Sequence, residues 1–426
     1  MNTNEINGKR QMEFLKRFDY VREAGTPGEE KAAKIIQETL SSFGVESCLE
    51  EFSFDTFQVK KAKLTVTEPY TKEYTVTGYG RCGNTAENGL KAPFVYAENG
   101  DDISLAQVSG KIVMVNDPVR KDMYQKLVNA GAVGFISIAG SPLDEGEDLT
   151  PRAYSLPKNL PDEEKKETGR EAVNYDNRIP GVCIHYNDAV ELVTKGAAQA
   201  VLSAEQEIVT RTSRNVAARI EGTDKAGEIL TLTAHYDSVP EGPGAYDNMS
   251  GGAIIMELCR YFQAHRPRRT MEFIWFGAEE KGLLGSQSYI KAHETELHAH
   301  RFNMNVDLAG QLVGGTVIGV TGDASVCSML TYMAHEIGIG MSTKNQIWGS
   351  DSNTFAWKGI PAMTLNRDGF GMHTRHDTIS LLSDWSLERS AVLLGHIADS
   401  LGNIDSFPFE RKVPQEFITQ LAEYFN

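Results

Sequence analysis

No stretch of the chain approaches the roughly 18 apolar residues of a membrane-spanning helix, and the opening MNTNEINGKRQMEFLKRF holds no apolar segment of the kind a secretory signal needs. A soluble, cytoplasmic protein with no membrane partner is expected. Cysteine is scarce: Cys48, Cys82, Cys183, Cys259 and Cys327 are odd in number, widely spaced and never in a CxxC pair. That disfavours a disulfide framework and a thiolate zinc site, leaving buried free thiols as the expectation. Positive charge is short as well, with 42 Lys and Arg against 58 Asp and Glu and a net charge of −16. Such a field repels phosphate backbones, so nucleic acid is not an expected partner. With 426 residues, 41% of them hydrophobic, the chain is long enough for two or three folded domains.

The organisation changes twice along the chain. Residues 29–43, EEKAAKIIQETLSSF, follow Gly25-Thr26-Pro27-Gly28 and repeat apolar positions near every 3.6 residues, which predicts an amphipathic helix ended by Gly44. From about residue 55 short strand-like runs take over: 63–67, 74–77, 92–97, 110–116 and 131–140, with a helix at 123–130 before the last of them. Residues 143–178, including the charged run from Asp162 to Glu167, are expected to form a surface loop before a strand at 179–184. After about residue 206 the rhythm becomes strand, loop, helix. Strands are expected at 228–234, 271–278, 302–306, 316–320 and 361–365, and helices at 251–264, 284–296, 326–337 and 384–401. Alternation of this kind predicts an α/β fold with a mostly parallel, mixed sheet sandwiched by helices. The domains expected are 1–54 with 206–426 as the core, and 55–205 as an inserted β-rich unit.

Three of the core strands run into acidic or imidazole side chains: His235-Tyr236-Asp237 after EILTLTA, Glu279-Glu280 after MEFIWFGA, and Asp307 after FNMNV. Ligand sites of open α/β sheets lie at the carboxyl ends of strands, so groups far apart in sequence can converge there. Asp247 opens DNMSGG before a helix, and His373 sits in GMHTRHDT after PAMTL. Two imidazoles and three carboxylates, His235, Asp247, Glu280, Asp307 and His373, suit a borderline divalent ion such as Zn²⁺. If two ions are each to have three protein ligands, one carboxylate must be shared. Asp237 can accept the remaining N–H of His235 and fix its tautomer. Glu279 and Glu280 are neighbours whose side chains diverge, so one can bind metal while the other faces the reacting water. HETELH at 293–298 is a decoy: its histidines are five apart, about 140° around a helix, rather than on one face.

The segments HYDSVPEGPGAYDNMSGG, FGAEEKGLLGS, NVDLAG and HTRHDT resemble the M28 family of dinuclear zinc aminopeptidases over about 206–400, and Arg22 to Gly25 with the following helix resembles its N-terminal element. Residues 108–138 resemble a protease-associated (PA) domain, which many members carry inserted before the metal motifs. The resemblance implies one zinc held by His235, Asp247 and Asp307 and a second by Asp247, Glu280 and His373, with Asp247 bridging and Glu279 the general base. It also implies hydrolysis of a peptide's N-terminal residue. Asp237 is expected to assist catalysis, and Asp351 and Arg375 to contact substrate. A carboxypeptidase or dipeptidase on the same core is the alternative, and would use Arg367 or Arg375 as a basic anchor. Two positions depart from the family pattern: Ser352 stands where histidine is common, and Gly349 where some relatives place a tyrosine.

Overall fold

The computed structural model describes residues 1–158, 160, 175 and 177–425, so the run from Asp162 to Glu167 lies outside the described residues. In chain order the elements are α1 (Gly8–Leu15), α2 (Pro27–Ser42), β1 (Ser47–Glu68), β2 (Lys72–Tyr74), β3 (Val76–Gly78), β4 (Leu90–Tyr96), β5 (Ile112–Val115), α3 (Lys121–Asn129), β6 (Gly134–Ala139), β7 (Gly181–His185), α4 (Tyr186–Thr194) and β8 (Gln199–Ile220). There follow β9 (Lys225–His235), α5 (Ser250–Ala264), β10 (Arg269–Phe276), α6 (Leu284–Ala292), β11 (His300–Val306), β12 (Thr316–Thr321), α7 (Ala324–Glu336), β13 (Ser342–Asn345), α8 (Ser352–Trp357), β14 (Ala362–Arg367), α9 (Asp384–Asn403) and α10 (Gln415–Phe425). The chain divides into two compact units, one of Met1–Phe54 with Arg211–Asn426 and one of Asp55–Thr210. The second boundary falls inside β8, a few residues beyond the expected 205/206.

In the larger unit the strand order is β13-β12-β14-β11-β9-β10-β8. The four inner strands β14, β11, β9 and β10 are mutually parallel, and β12 and β8 run antiparallel beside them. Every residue of β10 and β14 is buried, as a parallel sheet covered on both faces requires. The alternation of β10 assigns the two faces: Met271, Phe273 and Trp275 join the core that contains Phe14, Ile36, Ile254 and Leu394, whereas Ile274 and Phe276 join Tyr289, Phe355 and Leu421 on the other side. From β9 the chain steps to β10 on one side and then crosses to β11 on the other. The strand order therefore reverses at β9, the position where open α/β sheets form their crevice.

The smaller unit is built on four parallel strands, β4-β5-β6-β7, with β3 antiparallel to β7, β8 antiparallel to β4, and β1 paired to β2. Its own core packs Ile112 to Val115, Phe135, Ile136 and Val182 to Ile184 against Tyr124, Leu127 and Leu192 of α3 and α4. All five cysteines are free, but only Cys82, Cys183 and Cys259 are buried. The expectation of buried thiols fails at Cys48, which is exposed near the start of β1, and at Cys327, which is half-buried on α7. The helix expected at 284–296 ends at Ala292.

Candidate metal centre

The parallel quartet delivers the predicted set to one edge. His235 is the last residue of β9, Glu279 and Glu280 form a single 3₁₀ turn after β10, Asp307 follows β11, and His373 lies in the loop after β14. Asp247 sits in the short turn Ala245–Met249 that leads into α5. Three non-glycine residues with left-handed backbone adjoin or belong to these ligand turns, Ala278, Leu308 and His373. Such conformations cost about 1–3 kcal/mol each and persist where the surroundings over-determine them.

The side chains converge on two points. Nε2 of His235 lies 3.1 Å from Asp247 Oδ1 and 3.5 Å from Asp307 Oδ1, and Nε2 of His373 lies 3.0 Å from Asp247 Oδ2 and 3.1 Å from Glu280 Oε1. Asp247 thus turns one oxygen to each imidazole. One ring N–H cannot serve two carboxylates, and Glu280 Oε1, buried and 3.1 Å from its imidazole, makes no hydrogen bond. Around a tetrahedral zinc with bonds of about 2.0–2.1 Å, donor atoms stand about 3.3 Å apart, close to the separations found. Among the described residues two groups could hold an ion: His235, Glu279 and Asp307, and Asp247, Glu280 and His373. Glu279 therefore comes close enough to join the first group, whereas the expected set used Asp247 there.

Charge supports the same conclusion. Asp237, Asp247, Asp307, Asp351 and Asp377 are buried beside Glu279 and Glu280, against two imidazoles and the buried guanidinium of Arg22. Buried carboxylates in excess are costly unless cations compensate them. Burial pushes Glu279 well up, opposed chiefly by His235, and it raises Glu280, helped by Asp247. Asp351 is driven up by burial to about 7, and its two oxygens make no hydrogen bond. Burial alone would lower the His373 imidazole, but Asp247 and Glu280 hold it at about 10.

Residues 215–398 match the model of peptidase family M28. That segment contains all six residues of the two groups. Aminopeptidase YwaD of Bacillus subtilis is 30% identical over 303 residues, 68% of this chain and 58% of that protein. The chain thus spans less than two thirds of that relative. Mouse carboxypeptidase Q is 23% identical over 401 residues, 90% of this chain and 83% of its own length. Among solved structures, BSAP, a zinc aminopeptidase from Bacillus subtilis, superposes with a TM-score of 0.77 at 23% identity, covering 96% of this chain and 98% of that one. The mixed α/β fold with its large helix-flanked sheet is the one those structures share.

The geometry also accounts for the DNMSGG run within the matched segment. Asn248 Nδ2 donates to Val306 O (2.7 Å), and its Oδ1 accepts from Gly251 N (3.2 Å) and Leu308 N (3.3 Å). Ser250 Oγ accepts from Ala309 N at 3.1 Å. These bonds tie the Asp247 turn to the Asp307 turn. A Cβ at Gly251 would stand 2.8 Å from Val306 O, so the approach admits glycine alone. Asp307 is held by Ser350 Oγ, which donates to its Oδ2 at 2.6 Å, and by Asn366, which donates to its carbonyl.

Asp237 does more than face Nδ1 of His235 at 3.5 Å: it accepts the backbone N–H groups of Glu279 (3.0 Å) and Glu280 (3.2 Å). Arg22 donates to the carbonyls of Phe18, Tyr20, Tyr236, Pro243 and Gly244, closing both ends of the loop between His235 and Asp247. Sequence reasoning missed Asp377, which accepts from Tyr246 N (2.6 Å) and Asp247 N (2.9 Å). Burial raises it to about 6 against those two bonds. It also missed Tyr424 on α10, whose phenol is pushed up by burial and then by the negative field of Glu279 and Asp351. Asp351 is fully buried at the start of α8, and Arg375 is half-buried in the His373 loop. Arg367 is spent on the carbonyls of Gln311 and Leu312 and on Thr316 Oγ1. In the HETELH decoy, His293 pairs with Glu50 and stacks on Tyr289, while His298 is exposed.

Proposed function

We propose that the protein is a dinuclear zinc aminopeptidase of the M28 type, which removes the N-terminal residue of peptides. The observation that carries the reading is Asp247, whose two oxygens face two different imidazoles. His235, Asp247 and Asp307 would hold one ion and Asp247, Glu280 and His373 the other. When bound, a pair of divalent ions supplies Lewis acidity toward water and the scissile carbonyl. Glu279, held by Asp237 through its backbone N–H, takes a proton from the attacking water and delivers it to the leaving amine. Burial raises its pKa, which suits a group that must both accept and return a proton. The acidic surroundings favour a substrate's free α-ammonium group.

The opposite polarity, carboxypeptidase action, needs a basic anchor for a carboxylate. Arg367 has its guanidinium committed to backbone carbonyls and a threonine, which leaves Arg375 as the anchor for that reading. Within the proposal, residues 55–210 are a PA-like insertion that contributes no metal ligand; a helix between two parallel apolar strands, β5 and β6, supports it. Asp351 and Arg375 remain the proposed substrate contacts. The test is a panel of aminoacyl-nitroanilides and matched N-blocked peptides with zinc-replete protein. Cleavage of free-amine substrates alone supports the reading, and cleavage only from the carboxyl end of blocked peptides contradicts it.

A further inference from the structure

Two carboxylates that bind no ion in this scheme share one geometry. Asp237 stands two residues after His235, at the carboxyl end of β9, and its two oxygens take the consecutive amides of Glu279 and Glu280 at 3.0 and 3.2 Å. Asp377 stands four residues after His373, in the loop beyond β14, and its two oxygens take the consecutive amides of Tyr246 and Asp247 at 2.6 and 2.9 Å. Its backbone carbonyl accepts a third, from Ala245, at 3.2 Å. Both carboxylates are about 1% exposed or less. The arrangement is crosswise. The strand that ends in His235 carries the carboxylate that fixes the turn of Glu280, the partner of His373. The loop that carries His373 supplies the carboxylate that fixes the turn of Asp247, the carboxylate that His235 shares with His373.

We infer that Asp237 and Asp377 are a reciprocal pair of positioning residues that couples the two metal positions, so that ordering the ligands of one ion orders the ligands of the other. This rests on the dinuclear reading above. The physical basis is the number of acceptors. A carboxylate offers an oxygen to each of two adjacent N–H groups, whereas an asparagine of the same shape offers one oxygen and turns an NH₂ donor at the second amide. Asp377→Asn therefore frees half of the Asp247 turn without changing volume or touching an ion. Partners one step removed from a metal typically alter its affinity about 10–100-fold. Asp247 serves both ions, so both equivalents weaken, the second more than the first, because the Asp377 bonds carry the ordering that the first ion imposes on the shared turn. Asp377→Glu keeps both acceptors on a longer arm and restores part of the affinity.

The experiment titrates metal-free full-length wild type, Asp377→Asn, Asp377→Glu and Asp237→Asn with Co²⁺ alone, following ligand-field absorption and bound ion by equilibrium dialysis. Melting of each metal-free protein is the control for the fold. The expected result is two equivalents in the wild type, with both weakened in Asp377→Asn, the second more than the first and by about 10–100-fold, and a changed Co²⁺ spectrum although the melting point is kept. Partial recovery is expected in Asp377→Glu. If Asp377→Asn does not fold, Asp237→Asn and Asp377→Glu carry the same comparison from the other turn and with the acceptors retained. Two equivalents with wild-type affinities and spectrum in the asparagine variants overturn the inference. Equal weakening of both equivalents in parallel with a lower melting point also overturns it, since that is a merely structural role. A wild type that takes up fewer than two ions overturns the dinuclear reading itself, and this inference with it.

Discussion

His185 ends β7 and His235 ends β9, each buried at the carboxyl end of a parallel strand in its own unit, yet the two rings are used in opposite ways. Nδ1 of His185 accepts the N–H of Asn187 and caps α4, and its Nε2 meets a single carboxylate, Asp144, at 3.2 Å. Both nitrogens are satisfied. Nε2 of His235 faces two carboxylates, and its Nδ1 makes no hydrogen bond. Among the described residues every buried carboxylate lies in the larger unit, and five of them, from Asp237 to Asp377, belong to the metal centre. A strand-end histidine is therefore ordinary architecture. What makes a site is the convergence of more acceptors than the protein's own donors can satisfy.

The sharpest way to break this contrast is at the shared carboxylate. Asp247→Ala removes a ligand from both proposed ions, so metal content should fall to near zero and activity by more than the roughly 10²–10⁴-fold of a lost general base; an alanine variant that keeps two ions would dissolve the contrast. Next in size is Glu279→Gln. It should keep its metal and its fold but lose about 10²–10⁴-fold, chiefly in kcat. Measured beside Glu280→Gln, which should lose metal as well, it separates proton transfer from ligation.

A buried acid outside the centre should behave differently again. Glu29 on α2 accepts from Gly25 N and Ser213 Oγ, and burial raises it from an ordinary 4.5 to about 8. Between those values the folded protein keeps a proton that the unfolded chain has released. Stability from this group is thus full below pH 4.5 and lost as the pH rises toward 8. Glu29→Gln reproduces the protonated form, so denaturant melts should show a flatter slope over that window and a variant more stable than wild type above it, by on the order of a few kcal/mol. The smallest effect is expected in the other unit. His185→Ala removes a helix cap worth about 1 kcal/mol and should leave metal content and kcat/KM unchanged.

The inner strands were legible because MEFIWF is a nearly continuous apolar run, as a parallel sheet covered on both faces favours, and because EILTLTA and FNMNV alternate apolar residues with Thr231, Thr233, Asn303 and Asn305, polar side chains buried in the sheet. Their acidic and imidazole ends were legible for the same reason, as breaks in that texture. Other elements were not. β1 was recognised only over 63–67, because its first half alternates over a short stretch, Phe52 to Thr56, and is otherwise seldom buried. α8 is six residues long with five of them buried, so it shows no apolar stripe, whereas α10 carries a short repeat at Phe417, Leu421 and Phe425 that was passed over. The end of the smaller unit falls within the continuous strand β8, where composition does not change. Asp377 escaped notice, and Arg22 was named only as part of a motif without a role, because both act on backbone N–H and C=O groups, which every residue carries and no sequence pattern displays. Asp247, Glu280 and His373 could be named from their neighbours, whereas what holds them in place could not.

The measurement that bears most directly on the account is the metal stoichiometry of the full chain, purified without chelator and assayed for activity on the same samples. Elemental analysis should give about two divalent ions per chain, with aminopeptidase activity rising until both are present. Full activity at a constant single ion per chain would contradict a centre built on a shared Asp247.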